Sequence, residues 1–415
     1  MKKVELLAPA GGIEALKIAV LYGADAVYIG GYKYGLRAKA KNFDTEEFKE
    51  GIKFAHDRGV KVYITANIIA HNEDFEGMAE YFKDLELMGA DALIIADPGV
   101  LTVAKEAVPN MELHLSTQAN TTNVYGMNFW YKQGVKRVVL ARELGLKEVE
   151  KIRDNIPEEM DIEAFVHGAM CISYSGRCLL SNYMTDRDAN RGACSHPCRW
   201  KYYLVEEKRP GEYQPIVEDE RGTYIYNSKD MCMIQDIDKV IEAGVTSLKI
   251  EGRMKTPHYV ASVVNSYRRA IDDYYNGTFD DKREYYYGEV SKASHRDYTT
   301  GFYFGKADDE AQIYTKNSYI RTYDFVGMVL DYDKETKIAT VEQRNKFLLG
   351  EELEVLKHSG ENFNFKVEVL QNDAGEDVES APHPKQILKI KIDKEVEKYD
   401  ILRKEITKGE RENND

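Results

Sequence analysis

Four of the five cysteines in the chain lie close together and could bind a metal. They are Cys171, Cys178, Cys194 and Cys198, with the spacing C-x6-C-x15-C-x3-C. Four thiolates can hold either a Zn²⁺ ion or an iron–sulfur cluster. Zinc sites usually use closely spaced pairs of cysteines, and the first pair here is too widely spaced for that pattern, so we favour a cluster and keep zinc as the alternative. The fifth cysteine, Cys232, is expected to be a buried free thiol, or else to replace Cys198 as the fourth ligand.

The composition predicts a soluble protein of the cytoplasm. The chain has 415 residues, of which 43% are hydrophobic and 31% are charged, and its net charge is −14. Its first residues lack the apolar core of a signal peptide, and no stretch is apolar enough to span a membrane. Cytoplasmic thiols stay reduced, which favours metal binding or catalysis over disulfides. The negative charge argues against nucleic-acid binding over the whole surface but permits a local basic patch.

Short apolar runs recur along residues 1–275 and alternate with segments of helical period. The eight runs are 4–7, 26–29, 62–65, 92–95, 113–116, 137–140, 162–166 and 247–250. Several follow a glycine, which accepts the left-handed conformation that ends a helix. Eight alternating units predict an α/β fold, a (β/α)8 TIM-like barrel, with an open doubly wound sheet as the alternative.

Polar and charged residues follow several of these runs, at the end of the barrel where active sites lie. Arg142, His167, Glu251 and Arg253 are the candidate catalytic residues, and Gln118 is a candidate for substrate binding. Either Arg142 or Arg253 could hold a carboxylate through two parallel hydrogen bonds. Each residue taken singly also fits a helix cap or a structural salt bridge. Their convergence on one face of the barrel is what predicts a site.

The cysteines fall in a long connection that follows the seventh run. We predict that residues 167–232 form a cysteine-rich insertion on the same face of the barrel, because long ordered loops are commonly functional. Local cations beside aromatic side chains suit RNA. The candidate RNA-binding residues of the insertion are Arg177, Arg187, Arg191 and Arg199. The alternative is a solvated loop whose arginines pair with Asp186 and Asp188.

The character of the sequence changes after the predicted barrel. Residues 276–320 are rich in tyrosine and lack a clear period, so we interpret them as a connector packed on the barrel. Short alternating runs separated by polar turns then predict a small all-β barrel domain over residues 321–405. The polar residues 406–415 are expected to form a disordered tail.

Several segments of the sequence resemble peptidase family U32, the collagenase-like proteases. They include AFVHGAMCISYSGRCLLSNYMTDRDANRGACSHPCRWKYYL, NSKDMCMI, SLKIEGRMKTPHYVASVVNSYRRAID and LHLSTQANTTN. The resemblance covers nearly the whole chain. It implies a [4Fe-4S] cluster, whose ligands by match to the family motif would be Cys171, Cys178, Cys194 and Cys198.

Members of this family are linked to hydroxylation without oxygen. One branch makes 5-hydroxyuridine at the wobble position of tRNA with prephenate as the hydroxyl source, another hydroxylates a cytidine of 23S ribosomal RNA, and a third serves ubiquinone synthesis. The length of the chain and its intact ACSHPCRW element resemble the tRNA branch most. The resemblance therefore implies a tRNA uridine 5-hydroxylase, with tRNA and prephenate as substrates.

Two other functions stay open on the sequence. The first is a peptidase, as the family name says, although the chain has neither H-E-x-x-H nor G-x-S-x-G to activate water or a serine. The second is a cysteine–zinc protein that binds RNA without catalysis.

Overall fold

The computed structural model of the chain describes residues 3–36, 41–171, 173–174, 176–199, 218–219, 222–223, 228–305 and 319–406. The predicted C-terminal tail lies outside these residues except for Ile406, and so does the side chain of Arg199. Among the described residues, no helix is both long enough and apolar enough to cross a membrane.

Seven parallel strands alternate with helices in the first part of the chain. The strands are β1 Glu5–Pro9, β2 Ala26–Ile29, β3 Lys61–Ala66, β4 Ala92–Ile95, β5 Glu112–Leu115, β6 Arg137–Val139 and β7 Asp161–Ala169. The helices are α1 Ile13–Leu21, α2 Thr45–His56, α3 Met78–Leu87, α4 Pro98–Ala107, α5 Val124–Lys132 and α6 Leu146–Arg153. Each strand pairs with the next one along the chain. All residues of β2 and β4 are buried, as expected for parallel strands covered by helices.

The described part of the long connection after β7 contains short elements. It contains α7 Leu180–Thr185, the two-residue strands β8 Glu218–Asp219 and β9 Gly222–Thr223, and β10 Asp230–Cys232. β10 pairs antiparallel with the extended end of β7, so the chain returns to the barrel beside the strand from which it left.

The barrel is closed by the next strand. After α8 Ile237–Glu242 comes β11 Ser247–Ile250, which pairs in parallel with both β7 and β1. This closure confirms the predicted (β/α)8 barrel and excludes the open sheet. Helix α9, Pro257–Asn276, then packs on α1 and β1, and the hydroxyl of its N-cap Thr256 accepts the N–H of Tyr259 at 3.3 Å.

The chain continues into a second, antiparallel all-β domain. α10 Arg283–Val290 and β12 Tyr298–Thr299 come first. The domain contains β13 Tyr323–Asp333, β14 Ile338–Gln343, β15 Phe347–Leu348, β16 Glu352–Leu356, β17 Phe363–Lys366, β18 Leu370–Asn372, β19 Ser380–Ala381, β20 Ile387–Lys391 and β21 Ile401–Glu405. Its main sheet has the order β17-β16-β21-β13-β14-β20-β18. This antiparallel sheet confirms the predicted all-β domain; its two end strands do not pair with each other in the part of the chain described.

Buried ionic contacts join this domain to the barrel. Arg403 is fully buried and donates to Glu354 of the β domain at 2.8 Å and to Glu289 of α10 at 2.7 Å. The hydroxyl of Tyr22 in the barrel donates to the carbonyl oxygen of Leu356 at 2.8 Å. The two domains therefore pack directly against each other.

A second buried ionic network lies inside the barrel. The guanidinium of Arg137 contacts Glu5, Asp161 and Glu163. Glu163 also accepts from the Lys249 ammonium group at 2.6 Å. The side chains of Glu163, Arg137 and Lys249 are buried, so their charges must be compensated by the ion pairs of this network.

Replacing Glu163 with Gln should lower the free energy of unfolding by about 3–5 kcal/mol, because Arg137 and Lys249 would stay buried with one counter-charge fewer. Urea unfolding followed by circular dichroism would measure the change. Asp57→Asn, which removes the partner of Lys53 on an exposed helix face, is the control and should leave the urea midpoint in place. An E163Q midpoint equal to that of the wild type would contradict a stabilising role for the network.

Candidate active site at the barrel mouth

A cavity of about 160 Å³ opens at the carboxyl ends of the barrel strands. Its floor includes Tyr28, Ile94, Val139, Phe165 and Lys249. The connection after β7 forms its opposite wall, so the cavity lies between the barrel and that connection. This is the end of the barrel at which TIM-barrel enzymes carry their active sites.

The four clustered cysteines all line this cavity. Cys171 is exposed, and Cys178, Cys194 and Cys198 are partly buried. Cys232 is not part of the lining that the structure describes: it is buried on β10, and burial raises the pKa of its thiol to about 12. The structure thus brings the four predicted ligands to one space and leaves the fifth thiol apart.

The four thiols supply donors that either a [4Fe-4S] cluster or a zinc ion can use. Within the described part of the chain, no three His, Cys, Asp or Glu side chains stand close enough together to hold one metal ion. A [4Fe-4S] cluster distributes its four thiolates over four different iron atoms, so they stand farther apart than thiolates around one zinc. The four thiols that line one cavity supply the kind of donor that such a cluster needs.

Arg142 lies at the cavity with part of its hydrogen-bonding capacity unused. Its Nη1 donates to the carbonyl oxygen of Ala169 at 2.9 Å, and its guanidinium lies 3.9 Å from the centre of the Phe165 ring. Its Nη2 is 3.9 Å from the carboxylate of Glu251. Its Nε is buried and has no hydrogen-bond partner among the residues described. A buried donor in this state can bind an anionic ligand.

Arg253 lines the same cavity but is held by the protein. Its Nη1 donates to the carbonyl oxygen of Leu36 and to the hydroxyl of Thr65, both at 3.0 Å. Its Nη2 donates to Asn42 at 2.9 Å. Arg253 therefore ties the segment after β2 to the end of β3, which makes Arg142 the better of the two for holding a substrate carboxylate.

Gln118 supplies a second polar group at the cavity. It lies in a short 3-10 turn after β5 and lines the cavity, and its Oε1 is buried without a hydrogen-bond partner in the described structure. The connection after β7 packs on this turn at Gly176, whose φ is +74°. A Cβ atom at Gly176 would lie 2.6 Å from the carbonyl oxygen of Gln118, so only glycine permits this approach.

His167 lies behind the cavity wall, which corrects the expectation that it faces the pocket. Phe165 pairs with Lys249 and His167 with Ile250, so Val166 is an extra residue on β7. This bulge reverses the alternation of the strand and turns His167 outward. There its ring lies 5.5 Å from that of Tyr267, and burial lowers its pKa to about 3.

The described arginine side chains of the connection after β7 differ in their exposure and in their partners. Arg191 binds Asp74 at 2.8 Å and Glu73 at 3.1 Å, so it ties the connection to the segment after β3. In the described structure its carboxylate partners are therefore Glu73 and Asp74 rather than Asp186 or Asp188, and its role as an RNA contact stays a prediction. Arg177 is exposed and Arg187 is half-buried.

Sequence patterns missed three residues of the cavity floor. Tyr28, Phe165 and Lys249 all lie within apolar runs that predict only buried strands. The sequence nonetheless indicated that Lys249 is special, since a lysine in the middle of a buried strand needs a buried partner. That partner is Glu163.

The buried histidines should make the protein sensitive to acid. Burial lowers the pKa values of His167 and His258 to about 3, whereas the unfolded chain binds these protons near pH 6.5. Below pH 6.5 the unfolded state therefore binds protons that the folded state does not bind, so the free energy of unfolding falls as the pH falls. Each histidine contributes a slope of about 1.4 kcal/mol per pH unit. Urea unfolding at several pH values across this range gives the free energy of unfolding as a function of pH. This dependence on pH should be shallower for His167→Gln, while His383→Gln, which changes an exposed residue, should keep the wild-type dependence. Equal slopes for His167→Gln and the wild type would contradict the neutral, buried state of His167.

Comparison with known proteins agrees with this architecture. Peptidase family U32 matches residues 11–313, and the peptidase family U32 C-terminal domain matches residues 321–403. The chain is 44% identical to tRNA hydroxylation protein P1 of Bacillus subtilis (strain 168), over 97% of this chain and 95% of that protein. It is 39% identical to tRNA hydroxylation protein P of Escherichia coli (strain K12), over 92% of each. It is also 34% identical to a collagenase of Porphyromonas gingivalis, over 84% of this chain and 85% of that protein. The chain therefore belongs to peptidase family U32.

Proposed function

We propose that this protein is an iron–sulfur enzyme that hydroxylates tRNA at C5 of the wobble uridine, with prephenate as the source of the hydroxyl group. The observation that carries the proposal is the convergence of four cysteines, Arg142 and Gln118 on one cavity at the barrel mouth. The names of two relatives that match over nearly the whole chain, both tRNA hydroxylation proteins, favour tRNA as the substrate.

The proposed ligands of the cluster are the four cysteines of the cavity, Cys171, Cys178, Cys194 and Cys198. A [4Fe-4S] cluster there would supply the electron-transfer chemistry that hydroxylation of a pyrimidine ring requires. Cys232 is left out of the set, because its high pKa disfavours the thiolate that binds iron.

Arg142 is the proposed anchor for the small co-substrate. Prephenate is a dicarboxylate, and the charged side chains of the described cavity lining include three cations, Arg142, Lys249 and Arg253, but only one carboxylate, Glu251. Lys249 is already paired with Glu163 and both Nη atoms of Arg253 donate to loop atoms, whereas Nη2 of Arg142 is 3.9 Å from its nearest carboxylate, so Arg142 is the proposed donor for a carboxylate.

Gln118 and Glu251 complete the proposed set of residues. The amide of Gln118 can exchange hydrogen bonds with a substrate, since its Oε1 is an acceptor without a partner in the described structure. Glu251 is the candidate for holding a proton: its Oε2 lies 3.5 Å from the hydroxyl of Tyr28 at the edge of the cavity.

Metal analysis of protein purified without oxygen tests the cluster. We expect about four irons and four sulfides per chain. They should be lost in Cys198→Ala and retained in Cys232→Ala, which is the matched control because that thiol lies outside the cavity. One equivalent of zinc without iron would overturn the cluster and favour the cysteine–zinc RNA-binding protein. Cleavage of a peptide library by the same preparation would favour the peptidase.

Replacing Arg142 with Gln should raise the KM for prephenate about ten- to hundredfold, because a charge-assisted hydrogen bond to a carboxylate is lost. Hydroxylated uridine in tRNA, measured by nucleoside mass spectrometry as prephenate is varied, gives this value. Iron content should stay at the wild-type level, and Arg58→Gln, on an exposed helix end, should leave KM unchanged. An R142Q enzyme with the wild-type KM would contradict the assignment.

A further inference from the structure

We propose that Tyr174, Leu179 and Tyr183, which we call the stacking surface, bind unpaired nucleotides of the RNA substrate. This inference rests on the proposed function and extends it to the way in which RNA reaches the cavity. The stacking surface lies on and just before α7, in the connection that forms the outer wall of the cavity.

These three side chains are unusually exposed for their size. Tyr183 is 87% exposed, Leu179 is 70% exposed and Tyr174 is 50% exposed. The N–H of Tyr183 donates to the carbonyl oxygen of Leu179 at 2.9 Å, so the two residues stand one helical turn apart on the same face. Large apolar side chains grouped in this way on a surface commonly mark a binding site.

The polarity of α7 is the reverse of that of an ordinary surface helix. Its buried residue is Ser181, whose hydroxyl donates to the carbonyl oxygen of Arg187 at 2.7 Å and accepts the N–H of Ser195 at 3.0 Å. Thr185 donates to the carbonyl oxygen of Ser181 at 2.7 Å. Hydroxyl groups therefore fix the helix, while the ring of Tyr183 projects into solvent.

One residue of the stacking surface also lines the cavity. Tyr174 lines the cavity together with Cys178, and it is also half-exposed. Gly176 holds this segment against the turn that carries Gln118. Nucleotides stacked on Tyr183 and Leu179 would therefore bring a neighbouring base to the opening of the cavity.

The local charge suits RNA. Between residues 177 and 199 the sequence has two aspartates and three arginines besides Arg191, which pairs with Glu73 and Asp74, whereas the whole chain has a net charge of −14. Arg177 is exposed beside the stacking surface. Exposed aromatic rings next to arginine are the combination that binds single-stranded RNA, because every base offers a face for stacking. The bases of a duplex are already stacked on one another, so the surface fits a loop.

Binding of RNA to the protein purified without oxygen tests this inference. The dissociation constant would be measured by fluorescence anisotropy for an unmodified tRNA and for an RNA duplex without a loop. Tyr183→Ala should raise the dissociation constant for tRNA about ten- to hundredfold, and Tyr183→Phe, which keeps the ring, should bind as the wild type does. Tyr285→Ala removes a tyrosine that is 46% exposed on α10 and should have no effect. Iron content and circular dichroism of each variant would verify that it folds.

The outcomes separate this inference from the proposed function. Equal tRNA binding by Tyr183→Ala and the wild type would overturn the stacking surface while leaving hydroxylation intact. Equal affinity of the wild type for tRNA and for the duplex would also overturn the stacking surface. So would a Tyr183→Ala variant that binds RNA as the wild type does but no longer self-associates. Tight, Tyr183-dependent binding without hydroxylated uridine would instead support the surface and contradict the proposed function.

Discussion

The buried guanidinium of Arg137 connects strands that are far apart in the chain. It lies on β6 and contacts carboxylates of β1 and β7, and the Glu163 carboxylate on β7 also holds Lys249 on β11. The pairing of β11 with both β7 and β1 closes the barrel, so the network joins the strands at the closure. Because unpaired charges in the interior would be costly, the barrel closes with these strands in one register. Lys249 also lines the floor of the cavity, so the network extends to the cavity.

Above this floor, the mouth of the barrel is built from side chains that tie loops together. Arg253 binds the segment after β2 and the end of β3, Arg191 binds the segment after β3 to the connection after β7, and Gly176 lets that connection touch the turn after β5. In these contacts, polar groups at the mouth of the barrel bind other parts of the protein. The groups that remain, including Arg142 and Gln118, are therefore the ones with capacity for a ligand.

The proposed function uses this division between structural and available groups. Soft thiols form one wall of the cavity, aromatic rings and a paired lysine form the floor, and Arg142 supplies a donor for an anion. The exposed face of α7 extends the same wall outward. In the proposed function, a small anionic co-substrate would bind inside the cavity and an RNA loop would lie across its rim.

Local patterns in the sequence determined the secondary structure and the composition of the site. The apolar runs at 26–29, 92–95 and 247–250 coincide with β2, β4 and β11, because strand pattern and helix-ending glycines are properties of short segments. The group of four cysteines was likewise visible as a spacing. Closure of the barrel followed from counting eight units, although the pairing of β11 with β1 is a long-range contact.

Only the tertiary structure decided which side chains face the cavity. The bulge at Val166 turns His167 away, and it depends on the register between β7 and β11 rather than on the sequence of β7 alone. Arg191 finds Asp74, a residue distant in the chain, instead of its sequence neighbours. Lys249 enters the cavity floor because Glu163 on the adjacent strand compensates its charge. The direction of a side chain is set by its partners across space, and these are fixed only when the strands pair.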